Sequence, residues 1–244
     1  MRFLFSGLFV LLSWSLFATG SPCAEDAPLP APFVSLMYAR HPGSFYDKQA
    51  EDWKAIATGP CSTDGAWWQY YKTAHYSNRF GSGEHDLAAI LAAAAEELDP
   101  EGFELNYLYF AHEQDPQTRW PHLLKAHQAD PDQLIASTGL AAYYTINGQL
   151  SKRSEILKRM HDAKAIPAGV MEYNYNQLMS VATNGILITQ GDADTFPSWL
   201  LQSAYGVRPD VTVINLALLL GYESYQRHVK EVLEVEELFA TYPF

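Results

Sequence analysis

Asp192 and Asp194 are two carboxylates one residue apart, and Thr195 follows them directly. Carboxylate oxygens at this spacing can ligate a divalent cation, hydrogen-bond sugar hydroxyls, or act as a general base where burial raises a pKa. Asn215, further along the chain, adds an amide to the set if the fold brings it alongside. A purely local reading competes with these. Asp near a helix N-terminus satisfies exposed N–H groups and complements the helix dipole without any ligand. The residues leave both readings open.

The elements that would position these groups can be read from the flanking chain. The apolar run Ile186-Leu187-Ile188 predicts a strand through Gln190 that leads into Gly191-Asp192-Ala193-Asp194-Thr195. Asp194 or Thr195 is placed to cap the following helix, with Pro197 in its first turn. Trp199, Leu200 and Ala204 give that helix an apolar side, and Gly206 is a left-handed stop. Arg208-Pro209-Asp210 forms the return loop, and Val211, Val213 and Leu216 resume the sheet. A crossover of this length joins parallel strands in the right-handed sense. Both strand ends then share one rim, where ligands bind in parallel sheets, and Gly191, Asp192 and Asp194 face Asn215 across it.

Upstream, residues 45–182 read as helical. Leu87, Ile90, Leu91, Ala94, Ala95 and Leu98 recur on one helix face, with Glu84-His85-Asp86 capping the start and Asp99-Pro100 breaking the end. Further helices are predicted over Phe103–His112, Trp120–Gln128 and Gln133–Ile146, the last stopped by Asn147-Gly148. Ser151 is placed to cap the next, with Ile156, Leu157 and Met160 buried. A final helix carries Met171, Tyr175, Leu178, Met179 and Ala182 on its inner side. The Asp99-Pro100 and Asp130-Pro131 breaks follow similar Ala-containing helix ends, in the manner of a degenerate tetratricopeptide-type repeat. The aromatic group Trp67, Trp68, Tyr70, Tyr71, Tyr76 and Phe80 reads as core rather than as a ligand platform, and so do Tyr173 and Tyr175. The fold class is therefore α+β, mainly α. Antiparallel helical hairpins over 45–182 precede a small β-α-β unit with parallel strands and a C-terminal helix over 183–244.

Composition narrows the function classes. Hydrophobic residues are 48% of the chain and aromatics 14%, enough for a sizeable core. The formal charge of −12 argues against a phosphate-backbone partner, so nucleic acid is not expected. Residues 1–20 carry one positive charge, a short apolar run and small residues, which fits a secretory signal cleaved after Gly20. A retained N-terminal anchor and lipidation at Cys23 are the alternatives, and residues 21–44 read as a linker segment. Cys23 and Cys61 either pair outside the cytoplasm or stay free. The chain contains no HExxH, G-x-S-x-G, Walker or G-x-G-x-x-G motif, and its histidines are scattered.

The D-x-D after a hydrophobic strand resembles the metal motif of nucleotide-sugar glycosyltransferases, but the helical chain upstream lacks the strands such enzymes use to hold the nucleotide. It also resembles the nucleophile loop of haloacid-dehalogenase-like phosphatases, where the pattern is D-x-D-x-T; here Thr195 follows Asp194 directly. A longer resemblance covers roughly Phe45 to Tyr225. YNYNQLMS, NGILITQGDADTFPSWLLQ and GVRPDVTVINLALL are similar to a block in uncharacterised bacterial proteins whose turn usually reads G-D-N-D-T-[FY]-P. The same block occurs in the soluble part of large membrane proteins resembling protein O-mannosyltransferases. Gly191, Asp192, Asp194, Thr195, Phe196 and Pro197 match that turn, while Ala193 stands where Asn is usual. The resemblance implies a shared fold and an exported location and no established reaction, and transferase activity is not carried over from it. The larger relatives continue past the point where this chain stops, which leaves room for a partner domain.

The expectation is an exported, periplasmic or envelope-associated binding or scaffold protein. Its ligand site would comprise Asp192, Asp194, Thr195 and Asn215, with Asp192 and Asp194 the ligands of any divalent cation. A protein or glycan of the envelope would be its partner, and a membrane would be met only through an uncleaved N-terminal segment. An enzyme, or part of one, acting on glycans or glycoconjugates is the alternative.

Overall fold

The computed structural model describes residues 29–34, 39–60, 62–63 and 65–238. The segment read as a signal, half of the linker segment, and both cysteines lie outside the described residues. Among the described residues no helix is long and apolar enough to cross a membrane.

Helices come first along the chain: α1 (Gly43–Ala57), α2 (Ala66–Phe80), α3 (Leu87–Glu97), α4 (Phe103–His112), α5 (Pro116–Ala129), α6 (Ser137–Ile146), α7 (Leu150–Asp162) and α8 (Ala168–Ser180). They pack chiefly as sequence neighbours, α1 on α2, α4 on α5 and α6 on α7, while α8 packs on the helix of the β-α-β unit. Local chemistry sets their ends. Asp86 Oδ1 accepts from the N–H groups of Ala88 and Ala89 at the start of α3, both at 3.0 Å. The Glu104 carboxylate, from α4, accepts from Gly65 N and Trp68 N at the start of α2. The two Asp-Pro breaks are built alike. Asp99 and Asp130 each accept the N–H two residues on, and the carbonyls of Pro100 and Pro131 accept from Lys125 and Arg159.

Several boundaries differ from the sequence expectation. Helix α5 starts at Pro116, capped by Asp115 Oδ1 on Gln117 N, because Pro favours the first helical position. A 3₁₀ turn, Leu134–Ala136, precedes α6. Ser151 is not a cap, since α7 begins at Leu150 after Gln149. In α8 the buried side chains are Asn174 and Leu178, whereas Tyr173, Tyr175 and Met179 are exposed. The inner face is thus narrower than the apolar spacing suggested. Trp67, Trp68, Tyr70 and Tyr71 are core residues, as read.

The β-α-β unit follows as β1 (Ile186–Thr189), α9 (Asp192–Tyr205) and β2 (Thr212–Asn215), then α10 (Leu216–Gly221) and α11 (Glu223–Leu233). The strands are parallel, with Ile186 beside Thr212 and Thr189 beside Asn215. Leu216 opens α10 instead of extending the sheet, because the Asn215 side chain caps that helix through Leu218 N at 2.9 Å. The chain is mainly helical with a small parallel sheet, an α+β fold.

Buried side chains gather in three clusters. The first joins α1 to α7 around Trp53, Trp67, Tyr71, Leu108 and Leu140. The second ties α6, α7 and α8 to the β-α-β unit through Leu157, Met160, Leu178, Leu187, Trp199 and Val213. A small third cluster seats α11 on Ile214 and Leu219. Leu187 and Thr189 point inward from β1, while Ile186 and Ile188 are exposed on its other face.

Candidate functional site

Gly191 is the residue before α9, and Asp192, Ala193 and Asp194 are its first three positions. Asp194 therefore sits one turn in, not at the cap. Its carboxylate folds back on the chain leaving β1, with Oδ2 accepting from Gln190 N at 3.0 Å and Oδ1 from Gly191 N at 2.8 Å. This is the returning half of a capping box; Gly191 has no side chain for the other half.

Thr195 is fully buried, and its hydroxyl belongs to a network at the strand ends. Thr189 Oγ1 donates to Ile214 O (3.2 Å). It must therefore accept from Thr195 Oγ1, 2.7 Å away, because a hydroxyl has one proton. Thr195 in turn accepts from Asn215 Nδ2 at 2.8 Å, while Asn215 Oδ1 accepts from Leu218 N. The network clasps both strand ends to the starts of α9 and α10.

Pro197 lies in the second turn of α9, not the first. Its missing N–H leaves the Ala193 carbonyl without its helical donor. Asn174 Nδ2, from α8, supplies a donor at 2.8 Å. Asn174 Oδ1 is 2.8 Å from Ser198 Oγ, which is also 3.0 Å from Asp194 O.

The far end of α9 is fixed by the return loop. Gly206 adopts φ 64° and Arg208 φ 44°. Arg208 pairs with Asp210 through Nε and Nη2, both at 2.8 Å. It also donates to the carbonyls of Leu178, Val181 and Ala182 at and just beyond the end of α8. Those orphan carbonyls hold an otherwise uncommon backbone conformation.

The rim opens on a cavity of about 300 Å³ between the β-α-β unit and the helices before it. Gln190, Asp192 and Asn215 bring polar groups to it. Phe110, Trp120, Phe196 and Tyr222 bring rings, and Arg119 a guanidinium. The Trp120 ring lies 6.1 Å from that of Tyr222. Gly139 lets α6 approach, since a Cβ there would meet the Phe110 ring at 2.9 Å. Of the four residues expected to form the site, Asp192 and Asn215 line this cavity. Thr195 bonds to Asn215 from beneath, and Asp194 is taken up by the backbone. The sequence reading missed Arg119, Trp120 and Tyr222. Only the fold brings α5 and the α10–α11 junction to the rim.

Charge around Asp192 is mixed. It is solvent-accessible at the cavity yet crowded by protein. Burial raises its carboxyl pKa, as does Asp194, while Lys72 and Arg119 oppose the rise. Lys72, on α2, lies among the rings of Phe33, Trp68 and Tyr76 at 5.3–5.6 Å. Burial, and then Arg119, lower its pKa to about 8 against an upward pull from Asp192. Among the described residues no group of three or more His, Cys, Asp or Glu is placed to hold a metal ion.

A larger groove of about 880 Å³ runs between α7, α8 and α9, walled by Met160, Ile166, Met171, Leu200 and Val207. At its mouth His161 Nε2 bonds to Tyr205 Oη at 2.5 Å. It is apolar and open and does not include the strand rim.

The family model for TMEM260-associated domain 2 matches residues 170–233, about a quarter of the chain. The match runs from α8 through the β-α-β unit to the end of α11. No curated protein and no solved structure matches the chain. The matched segment thereby links this chain to a family tied to TMEM260 membrane proteins.

Proposed function

We propose that the chain is an exported, envelope-associated binding module whose site is the cavity at the strand rim. Its ligand is a small hydroxyl-bearing molecule, with a sugar unit of a glycan or glycoconjugate fitting the chemistry best. The carrying observation is that one cavity of about 300 Å³ is lined both by the Trp120 and Tyr222 rings and by Gln190, Asp192 and Asn215. Ring faces cover the C–H side of a sugar, while carboxylate and amide groups bond its hydroxyls. A size of about 300 Å³ lies at the small end of ligand pockets. The resemblance to soluble parts of membrane proteins, and the apolar start of the chain, support export. Both carboxylate oxygens of Asp194 accept backbone N–H groups, and cations flank Asp192, so a hydroxylic ligand suits the site better than a divalent cation.

A second reading has one observation in its favour. The raised pKa of Asp192 is the condition a general acid or base requires, which would make the module part of a glycan-processing enzyme.

Calorimetric titration of the full chain with mono- and disaccharides tests the proposal. Saturable binding, lost in Trp120→Ala with the fold retained by circular dichroism, is expected. Absence of saturation with every neutral or charged saccharide tried would overturn it. Turnover abolished by Asp192→Asn would favour the second reading.

A further inference from the structure

We infer that the ligand of this cavity carries an oxyanion, a phosphate or a carboxylate on its sugar, and that Arg119 of α5 is the group that recognises it. The inference rests on the binding-site reading above and narrows its ligand class.

Arg119 has unused donors. Arg119 lines the cavity and stacks on two of its rings, at 4.6 Å from the Phe110 centroid and 5.3 Å from that of Trp120. Stacking fixes the plane of the guanidinium and so presents its edge in one direction. That edge carries five N–H donors. None of them bonds to a protein group among the described residues, and Nε is buried without a partner. The contrast with Arg208 is direct, since that guanidinium places five hydrogen bonds on Asp210 and three backbone carbonyls. A buried donor left unpaired costs on the order of 1–3 kcal/mol. An arginine rigidly stacked at a cavity with its donors unspent is therefore matched to something the protein does not itself supply.

Charge gives the sign of that partner. The chain has 28 Asp and Glu against 16 Lys and Arg, so carboxylates are plentiful. Even so, no ion pair joins Arg119 or Lys72 to a carboxylate among the described residues. Asp192 is the one acid that acts electrostatically on Lys72, and it forms no ion pair with either cation. Arg119 and Asp192 are the charged residues of the cavity lining, and Lys72, behind them on α2, adds a second cation that acts on Asp192. Planar bidentate donors match phosphate and carboxylate geometry. The sugar hydroxyls fall to Asp192, Gln190 and Asn215, so the anion and the ring have separate anchors.

Titration of the full chain with glucose, glucuronate, glucose 1-phosphate and inorganic phosphate, at low and moderate ionic strength, tests this. The anionic sugars are expected to bind at least tenfold more tightly than glucose, with the preference shrinking as salt rises. Whichever of glucuronate and glucose 1-phosphate binds more tightly identifies the carboxylate or the phosphate as the source. Arg119→Ala should erase the preference, bringing the anionic sugars to the affinity of glucose, while Arg119→Lys retains part of it. Binding of glucose equal to that of both anionic sugars, unaffected by Arg119→Ala, would overturn the oxyanion inference and leave the sugar site standing. Binding of inorganic phosphate as tight as glucose 1-phosphate would overturn the sugar site and leave the anion. Circular dichroism of Arg119→Ala, matched to the parent chain, separates lost recognition from lost folding.

Discussion

The side-chain amide of Asn174 donates to the carbonyl of Ala193, 2.8 Å away, and so replaces the bond that Pro197, one turn on in the same helix, has no N–H to make. Helix α9 is thus completed by a residue of α8. Asn174→Ala should lower stability by about 1–3 kcal/mol, since it strands the part-buried Ala193 carbonyl and removes the buried acceptor of Ser198. Adding Pro197→Ala returns a backbone donor to that carbonyl. The double variant should recover roughly 1 kcal/mol relative to additivity. Urea unfolding of the four chains checks this, and strict additivity would separate the two residues.

The hydroxyl network at the strand ends predicts an asymmetry at Thr195. Thr195→Val keeps the shape but leaves the Asn215 amide N–H without its acceptor. A loss of about 1–3 kcal/mol is expected. Thr195→Ser retains the hydroxyl and should lose much less. Equal losses for the two would mean that packing, not bonding, fixes the rim.

Acid stability should depend on Asp210. Its carboxyl is held well below the usual carboxylate range, first by Arg208 and then by the N–H of Asn184. A depressed folded pKa adds stability that is fully present above the ordinary value and is lost as pH falls through the folded value. Asp210→Asn should therefore lower the melting temperature at neutral pH, and the gap to the parent chain should close in strong acid. A gap that is constant with pH would contradict the pairing.

Asp192 titrates in the opposite sense. Its folded pKa is raised, so the folded chain binds more protons than the unfolded chain just above the ordinary value of 3.8, and stability falls as pH rises through that window. Asp192→Asn should give a small gain in stability at pH 7 and a flatter profile between pH 4 and 7. Unfolding midpoints across that range measure it; a loss at pH 7 would show that Lys72 and Arg119 outweigh burial.

The sequence showed much of the scaffold and less of the site. Leu87–Glu97 was legible because apolar spacing, the Asp86 cap and the Asp99-Pro100 stop agree, and Phe103–His112 because Asp99-Pro100 and Asp115-Pro116 bracket it. The parallel β1–β2 pair was legible because a helix-length crossover joins two apolar runs. Tyr175 and Met179 misled, since spacing marks a face without saying how much of it a neighbour covers. Pro197 misled because the helix begins two residues before the cap that Asp194 suggested. At the cavity, Asp192 and Asn215 stand out as polar groups beside strand ends. Arg119 and Trp120 carry no such local signal, because their place depends on how α5 packs against distant chain.

The segment matched by the family model, 170–233, contributes Gln190, Asp192, Phe196, Asn215 and Tyr222 to the cavity, whereas Phe110, Arg119 and Trp120 come from before it. One wall of the cavity therefore lies within the matched segment and the other outside it. Moving residues 170–233 onto other helices would, on the proposed reading, carry along the hydroxyl-bonding groups and leave behind the guanidinium that reads charge.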